Sequence, residues 1–400
     1  MSAFVYTFLL IVMILVLYKA GISIRKTGKI LSPAGFAAII VYTLNEGLRF
    51  GRGIDYNLYG MAYEELESGG DNTWDFTFKL IANTLIEFGI PWQGYVLLLS
   101  FAFIVATIIF LKEYKNILPF ALPLFILFTI PETENMVRWY LGFSFIMIGL
   151  AFLLGMGKNR NVKFLLFSIF ACTIHLALAP LPIVFYCVTR WKYPILKPVP
   201  ALIAFFAIAF LFRVPFMVQF IELVNMLSMV SAHFEGYGNN AEYWLTGGFA
   251  GSGERSALSN IQELVFLCCL VILGYKVIRK GEWKNIYAYN LFIIGLLIYP
   301  IANQIELVYR FDQPFLFFKA IVLACIIEYA YRKKAVVINK TVLLVSLLVF
   351  VNIGRRILIA PFVMDANYYL YIWNRGGKSY QSMYDMRISD MYKAERGKKR

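Results

Sequence analysis

Four arginines stand out by type and place: Arg49 and Arg52 in LRFGRGIDYNLY, Arg138 in PETENMVRWY and Arg310 in ELVYRFDQPF. Each borders an apolar run, and carboxylates stand close in sequence at Asp55, Glu134 and Asp312. A guanidinium fork matches phosphate oxygens two at a time, so four from three separate stretches could gather around a phosphate-bearing ligand. The plainer reading makes them ion pairs that fasten loops to helix ends, and the sequence leaves both open. Of the two histidines, His233 reads as an exposed surface residue. His175, in ACTIHLALAPLP, sits in apolar surroundings before Pro180 and Pro182. A neutral imidazole there could accept a proton at physiological pH, or it could donate a hydrogen bond to a backbone carbonyl where a helix breaks. Glu46 and Glu263, near the ends of apolar runs, are assigned no role. Five cysteines are scattered through apolar stretches without metal-ligand spacing, and read as small buried hydrophobes. There is no Walker loop, no GxGxxG and no internal repeat.

The elements that must position these residues follow from composition. Hydrophobic residues make up 60% and charged ones 16%, against about 45–50% and 25% in soluble domains, and the mean hydropathy is +0.67. No soluble core buries so much apolar surface, so the solvent is lipid and the expected class is all-α, a polytopic integral membrane bundle. About twelve apolar runs are expected as membrane segments: 3–18, 33–48, 94–111, 117–130, 136–155, 162–174, 176–189, 199–216, 258–278, 286–302, 313–331 and 336–353. Several fall short of the about 20 residues a full span needs and are expected to be tilted or half-depth. The first run lacks a charged leader and a cleavage site, so it is expected to be retained. Residues 1–354 then form one transmembrane domain with external loops at about 49–91 and 219–256, followed by a basic tail, 355–400.

The net charge of +14 does not point to nucleic acid. Eight Lys and Arg lie in the tail from Asn374 to Arg400, and most of the others sit in short loops at 19–29, 112–115, 158–163, 190–197, 276–284 and 332–340, which reads as topology and attraction to anionic lipid. Those loops are expected inside the cell, and the acidic ones outside. Loops 158–163 and 190–197 are both basic, so the stretch between them has room only for two short helices meeting near His175. Twelve crossings place both termini outside; an odd count with the tail inside is the alternative. A helix-period stretch, 74–88, is expected to lie at the interface.

Taken together the motifs resemble the EpsG-like family of Wzy-type bacterial polysaccharide polymerases. The pattern R-x-G-x-x-x-D-Y-x-x-Y after the second span is here Arg49, Gly51, Asp55, Tyr56 and Tyr59, with Gly53 between. An N-x-x-R follows as Asn135 and Arg138, then a histidine before a proline as His175 and Pro180, then an arginine with an aromatic as Arg310 and Phe311. Arg52 stands where members usually carry an apolar residue, and is expected to tolerate change best. Trp74–Asp75 stands in place of an acid-plus-small pair.

The resemblance implies a membrane glycosyltransferase that joins undecaprenyl-diphosphate-linked glycan repeat units into exopolysaccharide, capsule or O-antigen on the outer face of the bacterial cytoplasmic membrane. It implies Arg49, Arg138 and Arg310 as diphosphate-binding, His175, Asp55 or Glu134 as catalytic, and Tyr56 and Tyr59 as substrate-lining residues. It calls for no metal and no cofactor. Its partners would be lipid-linked glycans, membrane lipids and a chain-length regulator, without nucleic acid. A lipid-linked oligosaccharide flippase would be expected to carry deep intramembrane cations in an internal repeat, and a membrane O-acyltransferase would leave the arginines unexplained.

Overall fold

The computed structural model describes residues 2–211, 257–279, 281–302, 306–333 and 370–398. The expected external loop 219–256, His233 and the apolar run 336–353 lie outside the described residues.

The first part of the chain runs through α1 (Ser2–Thr27), α2 (Pro33–Gly47), β1 (Arg49–Phe50), α3 (Ile54–Glu67), α4 (Phe76–Glu87), α5 (Trp92–Leu111), α6 (Leu118–Asn135), α7 (Val137–Leu154), α8 (Arg160–Ile174), α9 (Pro180–Val188) and α10 (Pro198–Leu211). There follow α11 (Ala257–Ile278), α12 (Trp283–Ala302), α13 (Glu306–Leu316), α14 (Phe318–Lys333), β2 (Leu370–Tyr371) and α15 (Tyr380–Lys398). The described residues are thus all-α apart from one short strand pair. Six helical stretches among the described residues are long and apolar enough to cross a membrane: 3–27, 92–135, 137–154, 261–278, 283–302 and 308–332. They make it a membrane protein. Shorter apolar helices accompany them.

Two compact units emerge, Met1–Cys187 with Val349–Arg400, and Val188–Leu348. In the first, α1 packs on α2 and α6, α2 on α5, α5 on α7, and α7 on α8. Leu10, Met13 and Leu17 of α1 are buried while Phe4, Phe8 and Leu15 are exposed, as a helix with protein on one face and lipid on the other requires. In the second unit α12 packs against α10, α13 and α14, and Asn290 of α12 holds the 193–195 loop by donating to the Tyr193 carbonyl at 3.0 Å and accepting from the Ile195 N–H at 2.9 Å.

Three details depart from the expected boundaries. Helix α6 continues through Pro131, where its apolar run stops, to Asn135; near a helix end a proline costs one hydrogen bond, and the last turn still closes through Met136 N to Glu132 O at 2.8 Å. The helix then breaks at Met136 (φ −91°, ψ 59°) before α7 begins. The run 313–331 is divided between α13 and α14 around Phe317. The C-terminal segment belongs to the first unit: β2 pairs antiparallel with β1, Tyr371 opposite Arg49 and Leu370 opposite Phe50, while α15 lies on α3. Tyr380 packs its ring on Phe50 and Tyr56.

Candidate functional site

Helix α2 starts cleanly, with Ser32 capping Gly35 N–H and Pro33 in its first turn. The segment that leaves its other end depends on two glycines in left-handed conformations, Gly51 (φ 69°) and Gly53 (φ 88°). A Cβ at Gly53 would lie 2.7 Å from the Glu134 carbonyl oxygen, and one at Gly51 would strike Met383, so glycine alone fits both backbone and space. The turn delivers α3 onto the α6–α7 junction. No side chain of its own N-cap closes α3; Asn135 does so instead, its Oδ1 accepting from the N–H groups of Ile54 at 2.8 Å and Asp55 at 3.0 Å.

Arg49 and Arg52 both turn inward. Arg49 is buried and donates to the carbonyls of Glu46 and Thr133, which lie in the last turns of α2 and α6. A cation on two helix C-termini answers their negative dipole ends and ties them together. Tyr56, its ring 5.3 Å from this guanidinium, donates to the Arg49 carbonyl at 3.0 Å. Burial pushes the Tyr56 hydroxyl up to about 12, so it remains a donor. A cavity of about 20 Å³ lined by Tyr42, Arg49, Ser100, Thr133 and Tyr140 among others adjoins Arg49, room for a single water.

Arg52 is 1% exposed, 2.7 Å from Glu134 and 3.9 Å from Glu46. It is held between two rings, 4.7 Å from that of Tyr6 and 4.4 Å from that of Tyr371. Tyr371 in turn donates to Asn45 at 2.7 Å, and Asn45 donates to Glu46 at 2.8 Å. This is a buried ionic core in which every formal charge has an opposite neighbour.

A second cluster forms in the same unit. Asp75, the residue preceding α4, places Oδ2 3.0 Å from Arg138 Nη1 and 3.1 Å from His175 Nδ1. Arg138 stands in the first turn of α7, and His175 ends α8 in extended conformation, followed by a 3-10 turn and α9. Side-chain exposures of 14%, 14% and 11% for Asp75, Arg138 and His175 leave the cluster partly open. The Arg138 guanidinium lies 5.9 Å from the Tyr59 ring, itself packed on Trp74, Phe78 and Trp92. An ionised carboxylate only accepts, so against it an imidazole presents Nδ1–H. Imidazole, guanidinium and carboxylate therefore meet at one point.

The residues singled out in the sequence separate accordingly. His175 and Arg138 come together; Arg49 is engaged by helix ends; Glu134 is bound to Arg52; Asp55 lies in the first turn of α3. Tyr56 is wholly buried beneath Arg49 and Tyr59 half-buried beside Arg138. Arg310 lies on α13 of the second unit, whose Asp312 is buried. One expected local pairing does not form as spaced: Glu134 and Arg138 are four apart, yet the break at Met136 takes them off a common helix face, so Glu134 meets Arg52 and Arg138 meets Asp75. Asp75 is the residue to which sequence reasoning gave no site role. Its signals are its place before a helix, where an aspartate ordinarily caps, and its place in the Trp74–Asp75 pair.

Apolar helices packed around a buried ionic core, with an arginine and a histidine bridged by a carboxylate in the same unit, define a polytopic membrane protein. The chain belongs to the EpsG family, whose model matches residues 34–363, a stretch that includes both clusters except Tyr6 and Tyr371. Membership makes it a membrane protein of polysaccharide biosynthesis. No curated protein and no solved structure matches the chain.

Proposed function

We propose that the protein polymerises undecaprenyl-diphosphate-linked oligosaccharide repeat units into a surface polysaccharide on the outer face of the cytoplasmic membrane. The observation that carries this reading is the meeting of Arg138 and His175 on Asp75 in a chain of the EpsG family. Glycosyl transfer from a lipid diphosphate needs two things, a base for the acceptor hydroxyl and a cation for the departing diphosphate. His175 Nε2 takes the hydroxyl proton as that oxygen bonds to the anomeric carbon of the donor. The bond from that carbon to the diphosphate oxygen breaks, and the electron pair leaves with the lipid diphosphate, whose charge Arg138 receives.

In this reading Arg49, Arg52 and Glu134 hold the loop in shape, and Tyr59 supplies an aromatic floor beside the guanidinium. The basic loops support an orientation with residues 49–91 outside.

The test is the glycan profile of a deletion strain complemented with His175→Gln. Gln can still donate a hydrogen bond but cannot serve as a base, so polymer should fall by about 10²–10⁴-fold while single repeat units accumulate on the lipid carrier. Near-normal polymer from a well-expressed variant would remove His175 from the chemistry. Units trapped on the inner leaflet in the deletion strain would instead point to transport.

A further inference from the structure

We propose that Asp75 is the positioning residue of the site: it fixes the His175 ring in the Nδ1–H tautomer and aims Nε2 at the reacting hydroxyl. The role in turnover rests on the reading of His175 as the base; the effect on the ring does not.

Two independent observations carry the assignment. The first is the geometry already given, with Asp75 Oδ2 3.1 Å from Nδ1 and paired on its other side with Arg138 at 3.0 Å. A guanidinium partner favours the ionised carboxylate, against which the only hydrogen in the contact belongs to the imidazole, and the neutral ring then carries its lone pair on Nε2. The second is what Asp75 does not do. It is the N-cap of α4, in the extended conformation that position favours (φ −60°, ψ 149°), yet its side chain makes no cap hydrogen bond. An aspartate normally turns back onto the N–H groups of the first turn. This one is turned away from its own helix toward two residues 63 and 100 positions distant in sequence. Local helix chemistry gives way to a tertiary contact, as happens where a site is being built.

The surroundings fit a ring held for orientation. His175 interrupts the α8–α9 pair with φ −155° and ψ 105°, and its N–H closes α8 on Ala171 O at 3.0 Å while its carbonyl starts the next turn by accepting from Leu178 N–H at 3.1 Å. The backbone is thereby pinned on both sides, and Thr77 of α4 donates to Thr173 at 2.8 Å, so the helix bearing Asp75 is tied to the helix bearing His175. Tautomer and direction follow from that one carboxylate.

Two histidines in the whole chain make the test direct. Full-length protein carrying His233→Gln and labelled with [15N]histidine, in lipid nanodiscs at mildly alkaline pH, presents one imidazole to nitrogen NMR. The expected spectrum has a protonated Nδ1 and an unprotonated Nε2. Asp75→Asn should redistribute the ring toward the Nε2–H tautomer, since an amide can donate to Nδ1. In the polymer assay Asp75→Asn should lower kcat on the order of 10²-fold or more with KM for the lipid-linked substrate little changed, and Asp75→Glu should recover part of it.

A wild-type ring in the Nε2–H form, or a ring spectrum unmoved by Asp75→Asn, overturns the assignment. Full polymerisation by Asp75→Asn alongside a dead His175→Gln overturns its role in turnover and leaves the base reading standing. Full polymerisation by His175→Gln removes the reading beneath that role, whatever the ring spectrum.

Discussion

Replacing Arg52 by methionine should be among the most damaging single changes in the first unit, although the family pattern alone marks Arg52 as the arginine most free to vary. The guanidinium is 1% exposed and pairs with Glu134 at 2.7 Å, with Glu46 beyond it at 3.9 Å. Methionine keeps much of the volume and some contact with the Tyr6 and Tyr371 rings, but it leaves Glu134 without its cation. Breaking a buried pair from one side costs about 3–5 kcal/mol. The unit, Met1–Cys187 with Val349–Arg400, is of a size at which each kcal/mol moves the midpoint by about 2–4 °C, so a fall of about 6–20 °C is expected. Heating a fluorescent fusion in detergent and following its monodisperse peak by size exclusion measures the shift. Arg52→Lys, which keeps the charge but not the flat stacking face, should fall between the two. Adding Glu134→Gln to Arg52→Met should recover at least about 1 kcal/mol, since the stranded charge goes with it. A melting point unchanged in Arg52→Met would refute the reasoning, and additive losses in the double variant would refute the pairing.

Further expectations concern the same segment. Gly53→Ala, which forces a side chain onto φ 88° and against the Glu134 carbonyl, should destabilise by at least about 1–3 kcal/mol in the same heating assay; an unshifted midpoint would show that the turn can relax. Asn135→Ala removes the cap of α3 and should cost about 0.5–2 kcal/mol, with the loss concentrated in hydrogen exchange of residues 54–57; uniform exchange there would count against it. Tyr56→Phe removes a buried donor and should cost about 0.5–1.5 kcal/mol. The Tyr56 hydroxyl, raised to about 12 by burial, holds its proton more tightly folded than unfolded. Its contribution should therefore be flat below about pH 9 and fall as pH rises through the unfolded value of about 10 toward 12, so a penalty varying between pH 6 and 8 would contradict the burial. Cysteines at Ser68 and Gly377 should label together with an impermeant thiol reagent in intact cells, and one at Lys158, beyond the far end of α7, should not. Labelling of Lys158 alone would invert the proposed orientation.

Much of the fold was legible because lipid as solvent makes apolar length a direct signal: α1, α2, α5 and α7 lie close to their runs. The pair of short helices meeting at His175 was legible from basic loops on either side, and α8 does end there. What escaped was whatever depends on partners distant in sequence. Asp75 lies 100 residues from His175, with nothing local to connect them. Charge partners chosen by nearness, Glu134 for Arg138 above all, failed because one non-helical residue, Met136, rotates them apart. Arg52 looked dispensable since its cage is assembled from Tyr6, Glu134 and Tyr371, residues no local pattern links.

The antiparallel pairing of β1 with β2 also sets an order of events during synthesis. Tyr371, which closes the Arg52 cage and holds Asn45, emerges 326 residues after that asparagine. At about 5–20 residues per second that interval is roughly 16–65 s, long compared with the microseconds in which a helix forms. The helices around Glu46 and Glu134 are therefore in place while the arginine between them still has one face without its final ring. The charged core is sealed by the last strand to be made, so a ribosome stalled before residue 370 would hold a nascent chain with its helices inserted and its ionic core incomplete.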